Sequence, residues 1–228
     1  MPSKTKYAKK RYVKKTQPKK KKYANTGLTM IKNPSNGGFP DSCFTQLKWE
    51  QAGTLNPGVA GINAVEVFRA NGPYDPYYSG GGTQPRGFDQ WMAIYDHYYV
   101  KRSKIIVELH NGDATNEVVA GVAIRDDFPT EVTTNEYAEQ NAVTKMLGRV
   151  GSSHNHSVIT RYYSYARQNY EKYVCENNKG TNASFPSEQG FFHVFAGSPW
   201  GQDAANTYYT VKIIYDILFT ELKDVPPS

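Results

Sequence analysis

Lys4, Lys6, Lys9, Lys10, Arg11, Lys14, Lys15, Lys19, Lys20, Lys21 and Lys22 put eleven cations into the first 23 residues, with no carboxylate among them. Tyr7, Tyr12 and Tyr23 are interleaved with them. Ammonium groups at this density neutralise phosphates, and a ring beside them can stack on an exposed base. The chain holds 27 basic and 21 acidic residues, so removing the eleven leaves 16 cations against all 21 acids. The net +6 is therefore +11 on an arm and −5 on a body. A like-charge block this dense repels itself and does not fold alone. The chemistry expected of it is binding of a polyanion without sequence readout, since Lys and Tyr tolerate any base. Lys19, Lys20, Lys21 and Lys22 also match the basic pattern of a nuclear-import signal.

Catalytic and metal chemistry is weakly represented. Gly148, five residues, then His154-Asn155-His156 matches the opening of a cupin metal motif. The carboxylate that should follow is missing, because Thr160 and Arg161 stand there, and no His follows Pro199-Trp200-Gly201. His154 and His156 are therefore expected in a solvated loop, with no metal, no cofactor and no enzymatic activity. Asp113-Ala114-Thr115-Asn116-Glu117 offers oxygen ligands but lacks the alternating order of a calcium loop, and reads as a hairpin turn. Neither a Gly-x-Ser-x-Gly nor a phosphate-cradling Gly-Lys-Ser/Thr occurs. Cys43 and Cys175 lie far apart without paired spacing, which suggests free thiols in a reducing compartment. No apolar run approaches the ~18 residues of a membrane span, and no secretory leader is read, so an intracellular protein without membrane insertion is expected.

The elements that must carry the arm read as short strands. Aromatic residues are plentiful (18 Tyr, 10 Phe, 3 Trp), and 19 Gly with 13 Pro punctuate the chain. Cys43 to Glu50 sets Cys43, Thr45, Leu47 and Trp49 on one face and Phe44, Gln46, Lys48 and Glu50 on the other. Ile62 to Arg69 is a second strand. Phe88 to Tyr95 reads as a short helix with Phe88, Trp91, Met92 and Tyr95 on one face, and the apolar patch of Phe88, Trp91 and Met92 has a core or subunit-contact reading with a ligand-binding one as the alternative. Ser103 to Asn111 points Ile105, Val107 and Leu109 inward and Lys104, Glu108 and His110 outward. Glu117 to Arg125, Ala142 to Val150, Ser157 to Ser164 and Gly190 to Ala196 are further strands, with one helical turn near Glu136 and a short helix from Ala166 to Lys172. Thr207 to Leu222 alternates longest, with Val211, Ile213, Tyr215, Ile217 and Phe219 opposite Thr210, Lys212, Asp216 and Thr220. Eight strands with uneven connections predict an all-β, antiparallel jelly roll over residues 27–228, short helices in its loops, and a disordered arm over residues 1–26. The loops Asn71 to Gln84, Asp126 to Asn141 and Cys175 to Gln189 are expected to be exposed and partly at interfaces.

The stretch Gly82 to Asn111 resembles the capsid proteins of circovirus-like, circular, Rep-encoding single-stranded DNA viruses. The similarity lies in Pro85-Arg86-Gly87-Phe88-Asp89-Gln90-Trp91, Tyr95-Asp96-His97-Tyr98 and Val100-Lys101-Arg102-Ser103-Lys104. Phe68-Arg69-Ala70-Asn71 and the following Asp75-Pro76 are similar as well. The resemblance implies a jelly roll, a homo-oligomer of roughly 60 copies in the smallest icosahedral shell, and an inward arm that packages a circular single-stranded DNA genome. It also implies a virion protein that passes through the host nucleus, served by the nuclear-import machinery, and a host-cell receptor. The arm departs from the family habit by favouring Lys over Arg ten to one, which keeps the charge but loses bidentate phosphate geometry. A cellular chromatin or RNA-binding protein, with a histone-like tail on a β-sandwich, is the alternative reading.

Overall fold

The computed structural model describes residues 39–57, 63–127 and 142–224. In chain order these form β1 (Ser42–Leu55), β2 (Ala64–Arg69), α1 (Phe88–Ile94), β3 (Tyr95–Asn111), β4 (Val118–Arg125) and β5 (Val143–Leu147). There follow β6 (His156–Ser164), the single turn α2 (Tyr165–Gln168), the two-residue β7 (Lys179–Gly180), β8 (Phe191–Gly197) and β9 (Thr207–Leu222). The expected arm, the turn near Glu136 and most of the Asp126 to Asn141 loop lie outside the described residues.

The longest alternation in the sequence becomes the centre of one sheet. β9 pairs antiparallel with β1 on one side and β3 on the other, and β6 extends β3, giving the order β1-β9-β3-β6. β7 also pairs with the start of β3. The second sheet runs β2-β8-β4-β5, again antiparallel. The chain crosses between the two sheets repeatedly: β1 in the first, β2 in the second, β3 back, β4 and β5 over, β6 back, β8 over and β9 back. A five-stranded and a four-stranded sheet interleaved in this way are a jelly roll, the architecture read from the sequence.

Period-two patterning explains why the sheets face each other. Leu47 and Trp49, Ile105, Val107 and Leu109, and Val211 to Phe219 at alternate positions are all buried, and Phe68, Val122, Phe192 and Val194 meet them from the other sheet. One end of the core is aromatic. Trp91 stacks on Phe219 at 5.6 Å and 17°, while Phe88 meets Tyr98 edge-on at 5.4 Å. The Phe88, Trp91 and Met92 face of α1 is therefore core. The helix starts at Gly87, whose φ of 90° is the left-handed conformation that a side chain resists.

Three boundaries differ from expectation. The strand read as Ser103 to Asn111 begins eight residues earlier, at Tyr95, where the backbone turns extended directly after α1. The helix read over Ala166 to Lys172 is one turn, and Tyr170 then takes a positive φ of 55°. The loop from Asn71 is not exposed at its start: Asn71, Gly72 and Pro73 are buried.

Asn71 explains that burial. Its Nδ2 donates to Asn178 Oδ1 (3.1 Å) and Glu188 O (2.8 Å), and its Oδ1 accepts from the Gly190 amide (3.0 Å). Asn178 Nδ2 donates in turn to Val100 O (2.9 Å) and Tyr173 O (2.7 Å). Two buried amides thus tie three connections to the sandwich. Beside them Arg69 Nη1 donates to Asp75 O and Oδ2, and its guanidinium lies 4.0 Å from the Phe185 ring centroid. The Phe68 to Pro76 similarity is thereby given a structural role, that of holding a loop.

Candidate functional site

The predicted cationic site, Lys4 to Lys22 with Tyr7, Tyr12 and Tyr23, lies outside the described residues. Within them, positive charge gathers on the outer face of sheet β1-β9-β3-β6. Alternation turns Phe44, Gln46, Lys48 and Glu50 of β1 away from the core, and likewise Lys212 and Asp216 of β9, Lys104, Glu108 and His110 of β3, and Tyr162 of β6. A bulge in β3 adds to them. The register against β9 shifts between Val100 and Arg102, so Lys101 and Arg102 are both exposed between buried Val100 and Ser103.

Five cations (Lys48, Lys101, Arg102, Lys104, Lys212) thus share a face with three carboxylates (Glu50, Glu108, Asp216) on a body that is acidic as a whole. Glu50 bridges Lys48 (2.8 Å) and Lys212 (3.2 Å), and the hydrogen bonds from these two lysines hold its carboxyl below the usual range. Arg102 bonds Asp216, which also accepts from Gln46 Nε2 (2.8 Å). Lys101 and Lys104 have no carboxylate partner among the described ion pairs and lie against rings instead. Lys101 Nζ is 5.8 Å from Phe44 and 5.4 Å from Tyr173, and Lys104 Nζ is 5.5 Å from Tyr162. Phe44 (52% exposed) and Tyr162 (67%) keep much of their surface in water. Cations beside exposed rings on a sheet face can neutralise phosphate and stack bases, the chemistry expected of the arm.

The sequence placed most of these side chains outward but did not assemble them into one surface. Strand order brings residues about 170 positions apart side by side, as with Gln46 and Asp216. The bulge at Lys101 had a weak signal in Val100-Lys101-Arg102-Ser103, where two consecutive charges interrupt the alternation.

His154 lies in an exposed turn, as expected, and Ser153 Oγ hydrogen-bonds its Nδ1 at 2.9 Å. His156 does not belong to a loop: it is the first residue of β6 and stands opposite His110 of β3. The imidazole centroids are 4.4 Å apart and the rings are tilted by 30°. Glu108, two residues before His110, points to the same side. The Asp113 stretch is a bend that carries the chain from β3 in one sheet to β4 in the other, not the hairpin turn expected, because β3 and β4 do not pair. Burial would raise the Asp113 carboxyl, but amides of Ala205, Asn116 and Thr115 and the Thr115 hydroxyl hold it well below the usual carboxylate range. Those donors use its oxygens, and Asn111 Oδ1 accepts the Asp113 amide.

A cleft of about 750 Å³ opens between Tyr74, Asp75 and the segment Gly81 to Gln90. Its ionisable side chains are Tyr74, Asp75, Arg86 and Asp89, with no His or Cys to pair with a nucleophile. Cys43 and Cys175 are free thiols. Among the described residues no helix is long and apolar enough to cross a membrane.

No protein-family profile matches the chain, and no curated protein matches it. Solved structures are similar to it at low identity. The 60-mer BFDV capsid protein is 12% identical, over 82% of this chain and 97% of that one, with a TM-score of 0.46. The decameric BFDV capsid protein is 10% identical, over 79% and 99%, with a TM-score of 0.44. A rhinovirus-B5 chain is 13% identical, over 94% and 90%, with a TM-score of 0.41.

Proposed function

We propose that the chain is a viral capsid protein of the circovirus-like kind. Residues 27–228 are the jelly-roll shell unit, and residues 1–26 are the arm that holds a circular single-stranded DNA genome. The observation that carries this reading is the division of charge, +11 on the arm against −5 on a sandwich of jelly-roll order. A protein that packages any sequence needs phosphate neutralisation on a pliable tether and a rigid unit that tiles. Roughly 60 copies closing an icosahedral shell would bring about 660 arm charges to the genome, with counterions supplying the remainder. On this reading the cations of the outer sheet face give the packed strand a second contact. Lys19 to Lys22 serve nuclear import, assembly takes place in the host nucleus, and the finished protein resides in the virion.

Binding of single-stranded DNA across a salt series tests the arm assignment. The arm should contribute up to about −8 to the slope of log K against log salt, the single-strand limit for its eleven phosphate contacts. The chain without residues 1–26 should keep only weak binding and a shallow slope. An unchanged slope after truncation would remove the arm from the account.

A further inference from the structure

We propose that Glu108, His110 and His156 form a binding site for a divalent transition-metal ion of the Zn²⁺ class. The three side chains come from two paired strands and share the outer face of the sheet, at the end remote from Ser42. One ligand atom from each lies within 4.8 Å of the other two. Zinc bonds of about 2.0–2.2 Å place tetrahedral ligand atoms roughly 3.3–3.5 Å apart, so closing the site takes shifts of about 1.5 Å. All three side chains are exposed, and rotation about their own χ angles supplies such shifts without moving backbone.

The backbone beneath them is fixed. His110 and His156 are register partners in the β3–β6 ladder, and the Asn111 amide donates to Asn155 O at 2.9 Å. Asn111 Nδ2 also donates to Gly148 O (3.1 Å) and Asn116 O (2.9 Å), which ties the connection before β6 to the end of β3. The two imidazoles are therefore presented side by side from paired strands rather than on a loose loop.

The donor set selects the ion. Two imidazoles and one carboxylate suit Zn²⁺, and Cu²⁺ or Ni²⁺ in its place, whereas Ca²⁺ and Mg²⁺ demand a set of oxygen ligands to which this site would contribute only Glu108. Three protein ligands leave a fourth tetrahedral position open to water. The cupin pattern looked for a carboxylate after His156 along the chain, at Thr160 or Arg161; the sheet supplies Glu108 from β3 instead.

Isothermal titration of the untagged, chelator-washed full chain with ZnCl₂ tests the site. The expected result is one ion per chain, with affinity at least about tenfold weaker in His110→Ala and in His156→Ala. Glu108→Gln should show a smaller loss, and His154→Ala should bind like the parent. Circular dichroism of each variant checks that the sheet is intact, which the exposure of these residues favours. Two outcomes overturn the proposal: no binding by the parent chain at about 1 mM Zn²⁺, or equal affinity in the parent and in the double variant His110→Ala/His156→Ala. The second outcome would place the ion elsewhere, at the thiols for example.

Discussion

Lowering the pH from 7 to 4 should destabilise the sandwich by about 3 kcal/mol through one side chain, His193. This residue sits in β8 between β2 and β4, in register with Val67 and Ala123, and is 1% exposed. Burial pushes its imidazole down to about 4, the Arg125 charge adds to that shift, and Asp127 opposes it. An unfolded chain returns the group to its ordinary value near 6.5. Between those two values the unfolded state binds more protons than the native state, so stability rises with pH and is lost as pH falls. The difference between the two values corresponds to roughly 3 kcal/mol, most of it lost by pH 4. That is a large share of the roughly 5–15 kcal/mol that holds a domain together. Urea unfolding of the parent chain and of His193→Gln, followed by tryptophan fluorescence from pH 7 to 4, isolates this contribution. The parent should lose about 3 kcal/mol more than the variant over that range, whatever their difference at pH 7. Parallel pH profiles would refute the reasoning.

Asn178→Ala should lower stability by roughly 2–4 kcal/mol, because it removes the partner of the buried Val100 carbonyl, of the half-buried Tyr173 carbonyl and of one of the two Asn71 Nδ2 bonds. A urea midpoint shift below that range, at constant m, would mean the amide network is dispensable. Phe219→Ala removes the ring that Phe88, Trp91 and Tyr95 pack against. A loss of about 3–5 kcal/mol is expected in the same assay, and a loss below about 1 kcal/mol would contradict its place at the core.

Much of the fold was legible because half-buried strands announce themselves by alternation. Val211 to Phe219 and Ile105 to Leu109 carry an unbroken period of two, and both lie where the pattern put them. The first half of β3 was not legible. Tyr95-Asp96-His97-Tyr98-Tyr99 does not alternate, and the bulge at Lys101 then resets which face each residue takes. The short helix near Ala166 was overextended because propensity carries no record of the tertiary contact that stops it. Tyr165 is wholly buried and anchors the turn, whereas Tyr170, five residues on, is 95% exposed.

Sites made by pairing were hidden for a different reason. His110 and His156 are neighbours only because β6 lies against β3, and Asn71 meets Asn178 across 107 positions. A single sequence shows which way a side chain points within its strand, not which strand lies beside it. The arm is the opposite case. Its signal is composition alone and needs no neighbour, and its residues lie outside the described ones, so its role stands as a proposal.

Particle formation and nucleic acid content, measured together, test the central claim most directly. The full chain and the chain without residues 1–26 would each be purified, imaged by electron microscopy and assayed for nuclease-protected DNA. The account expects closed particles that enclose nucleic acid from the full chain, and shells or subassemblies with little nucleic acid from the truncated one. Equal protected DNA in both preparations, or a full chain that remains a lone subunit under every condition, would contradict it.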